Sequence, residues 1–125
     1  MKIKDLSNQK YISLETYRKN NIPVKTPVWF VIYNDALYVV TREQTGKIRR
    51  LRNNDNVRIA TCTFNGKVTG KWFEGKAVFS SPEETKIALK LRQEKYGLME
   101  RIARFASRKK GDFIVFSIKL NDKEI

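Results

Sequence analysis

A chain of 125 residues, 41% apolar and carrying a formal charge of +13, can bury one hydrophobic core but not two comfortable ones, so residues 1–125 read as a single domain. It has no run of about 18 apolar residues, which excludes a spanning helix, and the start Met1-Lys2-Ile3-Lys4-Asp5 lacks an apolar signal segment, so no membrane partner is expected. Histidine is absent and Cys62 is the single cysteine, which argues against a zinc site, an internal disulfide and triad-type nucleophilic catalysis, and for a reducing, cytoplasmic location.

Lys10 to Tyr17 is rich in β-formers and predicts a strand, closed by the turn signal Asn20-Asn21-Ile22-Pro23. Val24 to Tyr33 predicts a second strand containing Pro27. A proline there gives up one ladder donor and belongs at an edge, a bulge or a ligand-facing position. Asn34-Asp35 fits a tight hairpin turn into Ala36 to Thr41. Gly46 to Asn54 changes to a helical period, with Ile48 and Leu51 inward. Val57 to Phe64 and Lys71 to Phe79 predict strands around the hairpin dipeptide Asn65-Gly66.

Ser81, Pro82 and Glu84 spell a capped helix start, Ile87, Ala88 and Leu91 mark its buried face, and Gly97 stops it. A further helix from Leu98 to about Ser107 places Leu98, Ile102 and Phe105 on one stripe. Met99, Phe105 and Tyr96 read as helix packing. Asp112 to Leu120 is apolar enough for a central strand buried on both faces. The order β-β-β-α-β-β-α-α-β predicts an α+β fold, with an antiparallel sheet large enough to close as a barrel.

The charge is localised. Residues 42–58 hold six basic and two acidic side chains, and residues 86–110 hold nine and two. An anionic partner is expected, whether phosphate ester, polycarboxylate or nucleic acid, with a solvated basic face as the alternative for the later stretch. Nucleic acid is the weaker candidate, because aromatics are not interleaved with the basic residues as a stacking platform requires.

The segments KYISLETYRKN, TPVWF, GKIRRLRNN, RIATC, GKVTGKWFEG and KYGLM, in this order, resemble the pyridoxamine 5'-phosphate oxidase-like proteins over about residues 8–120, and most closely a subgroup using the deazaflavin coenzyme F420. One step departs: many relatives have alanine-proline-cysteine where this chain has Ala60-Thr61-Cys62. The resemblance implies a split β-barrel, six-stranded with flanking helices. It also implies a homodimer with cofactor in a groove between subunits: F420, or alternatively FMN.

Carried over, Lys25, Thr26, Pro27 and Val28 would line the ring, and Trp72 would cover it from the partner subunit. Thr41, Gly46, Lys47 and Arg50 are the phosphate candidates. Lys47 and Arg50, three apart on a helix, can grip one phosphate, helped by backbone N–H groups at the helix start. Cys62 reads as a small buried residue. The implied function is an oxidoreductase moving a hydride between the cofactor ring and a small organic substrate, with no catalytic side chain assigned. A cofactor carrier without turnover and a basic nucleic-acid-binding barrel are the alternatives.

Overall fold

The computed structural model describes residues 3–124, with side chains to residue 121. A short 3-10 turn (Ile3–Leu6) leads into β1 (Ile12–Tyr17), β2 (Pro23–Val28), β3 (Val31–Tyr33), β4 (Ala36–Arg42) and α1 (Gly46–Asn53). Then come β5 (Asn56–Thr61), β6 (Phe73–Phe79), α2 (Pro82–Tyr96), α3 (Leu98–Ala106) and β7 (Phe113–Glu124). The expected turn chemistry is in place. Asn34 and Asp35 both adopt positive φ, 52° and 59°, as a two-residue type I′ hairpin demands. Ser81 and Glu84 form a reciprocal capping box with Pro82 in the first turn of α2.

The strands pair antiparallel in the order β2-β1-β5-β6-β7-β4-β3. The two ends of that order, β2 and β3, are separated in the chain only by Trp29 and Phe30. That link spans at most about 11 Å, whereas a flat sheet of this width would hold its edges about 29 Å apart. The sheet therefore curls until its edges meet, giving the expected split barrel. The strand expected from Val24 to Tyr33 is divided at Trp29-Phe30, so seven strands stand where six were expected. The first half pairs with β1 and the second with β4, and no straight strand could serve both.

The division leaves backbone groups at Phe30 without a ladder, and α2 supplies partners for them. Phe30 N–H donates to Tyr96 Oη at 3.1 Å, the Tyr96 hydroxyl donates to the Lys10 carbonyl at 2.7 Å, and Lys95 Nζ donates to the Phe30 carbonyl at 3.0 Å. Trp29 stacks on the Tyr96 ring, with centroids 4.2 Å apart. A buried polar group left unpaired is costly, so these contacts fasten the seam.

β7 is buried on both faces, as its sequence predicts. Phe116 and Ile118 join Ile12, Leu14, Leu37, Val39, Val57 and Ile59 inside the barrel, which Ile48 and Leu51 of α1 close at one end. Val115 faces the other way, into a second cluster with Tyr38, Ala88 and Tyr96 beneath α2.

Two local expectations change. The Asn65-Gly66 hairpin forms, with Gly66 at φ 91° and Cys62 bridged to Val68, but β6 resumes only at Phe73, opposite Ile59. In α3 the stripe Leu98, Ile102 and Phe105, with Met99, does not pack inward: these residues are 57 to 69% exposed. The buried residue of α3 is Glu100, 1% exposed. It accepts from Arg92 at 2.7 Å and Arg104 at 3.1 Å. A carboxylate claimed by two arginines turns that face of the helix inward, which forces the apolar stripe out.

Candidate functional site

Beyond Val28 the barrel splits. β2 has a ladder partner only in β1, and β4 pairs with β3 only from Ala36 to Tyr38. The facing edges of β2 and of Val39 to Arg42 therefore have no ladder between them among the described residues. A cleft of about 260 Å³ opens here, walled by Pro27, Val28, Trp29, Val39, Val40 and Thr41, with Lys47 at one side and Arg92 and Ala103 at another. Unpaired strand edges offer donors and acceptors that a planar heterocycle can use.

Lys47 stands in the first turn of α1. Its ammonium is largely desolvated, and burial lowers its pKa, with the like charges of Arg50 and Lys110 adding to the effect. No carboxylate pairs with it among the described residues. Thr45, which precedes the helix, gives no side-chain cap to the first-turn N–H groups; its hydroxyl donates to the Arg42 carbonyl at 3.0 Å. Arg50 curls back over the helix start: a Cβ placed on Gly46 would lie 2.7 Å from its guanidinium. Its Nε donates to Thr16 Oγ1 at 2.6 Å, and burial followed by Arg18 and Arg49 lowers its pKa. Three cations and an uncapped helix end thus meet where, among the described residues, no carboxylate forms an ion pair with them. That is the electrostatic description of an anion site.

The expected site residues divide into two groups. Pro27, Val28, Thr41 and Lys47 share the cleft, with Gly46 and Arg50 beside Lys47. Thr26 turns inward opposite Leu14, where its Oγ1 is buried without a partner. Lys25 turns to the outer face opposite Glu15, and Trp72 goes with it. The Lys25 ammonium and the Arg58 guanidinium lie 5.1 and 5.4 Å from the Trp72 ring centre.

Alternation turns Thr26 away from the face that Lys25 and Pro27 share, and Lys25 stands two residues, about 7 Å, further along β2 from the cleft. Beneath Trp72, Glu15 is fully buried and bidentate with Arg58 at 2.6 and 3.0 Å, with the Tyr17 hydroxyl at 2.7 Å. Burial works to raise the Glu15 pKa, but these hydrogen bonds and the nearby positive charges hold it below the usual carboxylate range. Phe73, the other aromatic of the pair, packs against the core. Cys62 is buried, and burial pushes its thiol pKa up, as suits a packing residue.

Several cleft residues carry no sequence expectation: Tyr11, Trp29, Val39, Val40, Phe64, Arg92 and Ala103. Arg92 left a signal. It sits between Ala88 and Tyr96 at four-residue spacing, an arginine on the buried stripe of an amphipathic helix. Of the basic residues from 86 to 110, Arg92 lines the cleft and Lys110 acts on Lys47. Arg104 is engaged with Glu100, and Arg101 and Arg108 line a separate groove between α2 and α3.

Solved structures with this architecture include the haem storage protein HutZ from Vibrio cholerae, at a TM-score of 0.75 and 17% identity over 98% of this chain and 90% of that one. A FAD-binding protein from Mesorhizobium loti superposes at 0.63 with 13% identity, over 95% and 84% of the two chains. A haem-binding protein from Mycobacterium smegmatis does so at 0.66 with 14% identity, over 90% of this chain and 47% of that one. At such identities these likenesses speak for the fold. No curated protein matches the sequence. The family model for pyridoxamine 5'-phosphate oxidase matches residues 2–122, nearly the whole curled sheet and all three α-helices, and the chain belongs to that family.

Proposed function

We propose that the cleft holds the ring and phosphate end of a flavin-type cofactor, F420 ahead of FMN, and that the protein moves a hydride between that ring and a small organic substrate. Lys47 carries the reading: a desolvated cation among like charges, beside an uncapped helix start and at the end of an apolar slot. An apolar wall of Pro27, Val28 and Trp29 suits a flat ring, and the Lys47, Arg50 and Lys110 charges suit its phosphate. The bound ring would supply the two-electron chemistry. The chain's own residues would orient it, exclude water through Trp29, Val39 and Val40, and neutralise its tail.

Small-molecule pockets run to about 300–1,000 Å³, so a cleft of about 260 Å³ is one wall of a site that a second copy completes. We therefore propose a homodimer with the cofactor between subunits. F420 is placed ahead of FMN because its tail carries more negative charge, and Lys110 extends the cationic side of the cleft beyond a single phosphate. Haem fits the lining less well. Histidine, cysteine and methionine are absent from it, leaving the Tyr11 hydroxyl as the side chain of an ordinary haem-ligand type.

The absorbance of the purified protein tests this: a band at roughly 420 nm for the deazaflavin or roughly 450 nm for FMN supports it, and an intense haem spectrum with no flavin binding would refute it. Oxidation of the reduced cofactor with a panel of acceptors separates an enzyme from a carrier, since no side chain in the cleft is required for turnover.

A further inference from the structure

The exposed apolar stripe of α3 does not stand alone. Leu98 and Phe105 also line the groove of about 830 Å³ between α2 and α3, together with Arg42, Gln93, Gly97, Glu100, Arg101, Arg104 and Arg108. Within this lining the one carboxylate, Glu100, is already committed to Arg92 and Arg104. Arg42 is committed to Ser107, the Gly111 carbonyl and the Arg104 carbonyl. Arg101 and Arg108 have no carboxylate partner among the described residues. Lys109 and Lys110 follow directly, both exposed. One short helix thus presents Leu98, Met99, Ile102 and Phe105 outward with a cationic margin along the same edge.

We propose that this face docks on an anionic lipid bilayer, with the apolar stripe entering the acyl boundary and Arg101, Arg108 and Lys109 resting on the headgroup phosphates. Charge complementarity selects the occupant. A second copy brought face to face would set arginine against arginine around each apolar stripe. An anionic bilayer answers both features at once, being negative at the depth of the basic margin and apolar just below it. Among the described residues no helix is long and apolar enough to cross a membrane, so the association is one of surface contact.

The test is flotation of the full-length protein with vesicles of phosphatidylcholine alone or with phosphatidylglycerol added. Capture by the anionic vesicles only, reversed by salt, is the expected result. Arg101→Gln and Arg108→Gln should each weaken binding about fivefold, and Ile102→Ser with Phe105→Ser should abolish it. Those two side chains are already exposed, so melting temperature should hold, which separates lost docking from lost folding. Equal capture by neutral vesicles, or no capture by anionic ones, would overturn the proposal. So would conversion of a dimer to monomer by the double serine variant, which would make the stripe a subunit contact.

Discussion

Two regions of this molecule gather arginine and lysine, and they do so to opposite ends. At the α2–α3 junction, Arg92 and Arg104 close on a buried Glu100. Arg92 also lies over the rings of Trp29 and Phe113, 5.3 and 5.4 Å from their centres. At the start of α1, Lys47, Arg50 and Lys110 form no ion pair with a carboxylate among the described residues, and their mutual repulsion adds to burial in lowering the Lys47 pKa. The first set has a buried counter-charge and holds helices together, although the buried Arg92 Nε keeps no hydrogen-bond partner. The second is unsatisfied, which weakens the free protein and leaves the region poised for an anion. Charge count alone does not distinguish them; the presence of an internal counter-charge does.

The largest expected effect is at the satisfied region. Glu100→Ala leaves Arg92 buried without its partner and should cost about 3–5 kcal/mol of stability, read by urea unfolding. At the seam, Tyr96→Phe removes the hydroxyl that serves both Phe30 N–H and the Lys10 carbonyl, and should cost about 1–3 kcal/mol in the same measurement. The unsatisfied region should behave in the opposite way. Lys47→Ala and Arg50→Ala should each reduce cofactor affinity by about 1.5–3 kcal/mol, and Lys47→Ala should leave the stability of the free protein unchanged or raised. Arg49→Ala and Arg52→Ala should affect affinity much less. Equal losses from all four would mean diffuse electrostatics, with no clamp.

The smallest effect is in pH dependence. Burial lowers the Lys95 pKa to about 8, so between there and its unfolded value the unfolded chain binds the extra proton and stability rises with pH. Tyr17, Tyr38 and Tyr96 are pushed up to about 12 by burial, and in the first two also by a carboxylate neighbour. Above their ordinary value near 10 the folded state retains protons that the unfolded chain loses, so stability falls. Denaturant titrations across this range should show a shallow rise and then a fall, and Lys95→Met should remove the rise.

The sequence was most legible where one short-range rule decides the outcome. Asn34-Asp35, the Ser81–Glu84 capping box and the doubly buried β7 each follow from local chemistry. The break at Trp29-Phe30 was hidden because nothing local demands it; it arises from closure of the sheet, a property of all the strands together. The outward stripe of α3 misled for a related reason. Periodicity reports that a helix has an apolar face, and only the tertiary pairing of Glu100 with Arg92, eight residues earlier in another helix, decides which way it turns. In the site, Pro27, Val28, Thr41 and Lys47, grouped through the family resemblance, do share one cleft. Strand alternation turned Thr26 from the face of Pro27, and Lys25, on that same face, lies two residues beyond the cleft beside Trp72.

The central claim, that the unsatisfied cations at the start of α1 hold the cofactor's phosphate, is tested most directly by comparing FMN with riboflavin, the same ring without the phosphate. Titration calorimetry on the parent protein and on the Lys47→Ala, Arg50→Ala double variant gives the four affinities needed. The parent should prefer FMN by a factor of about 100 or more, and the double variant should bind the two ligands alike, with riboflavin affinity unchanged. A parent that binds both equally, or a variant that keeps its preference for FMN, would contradict it.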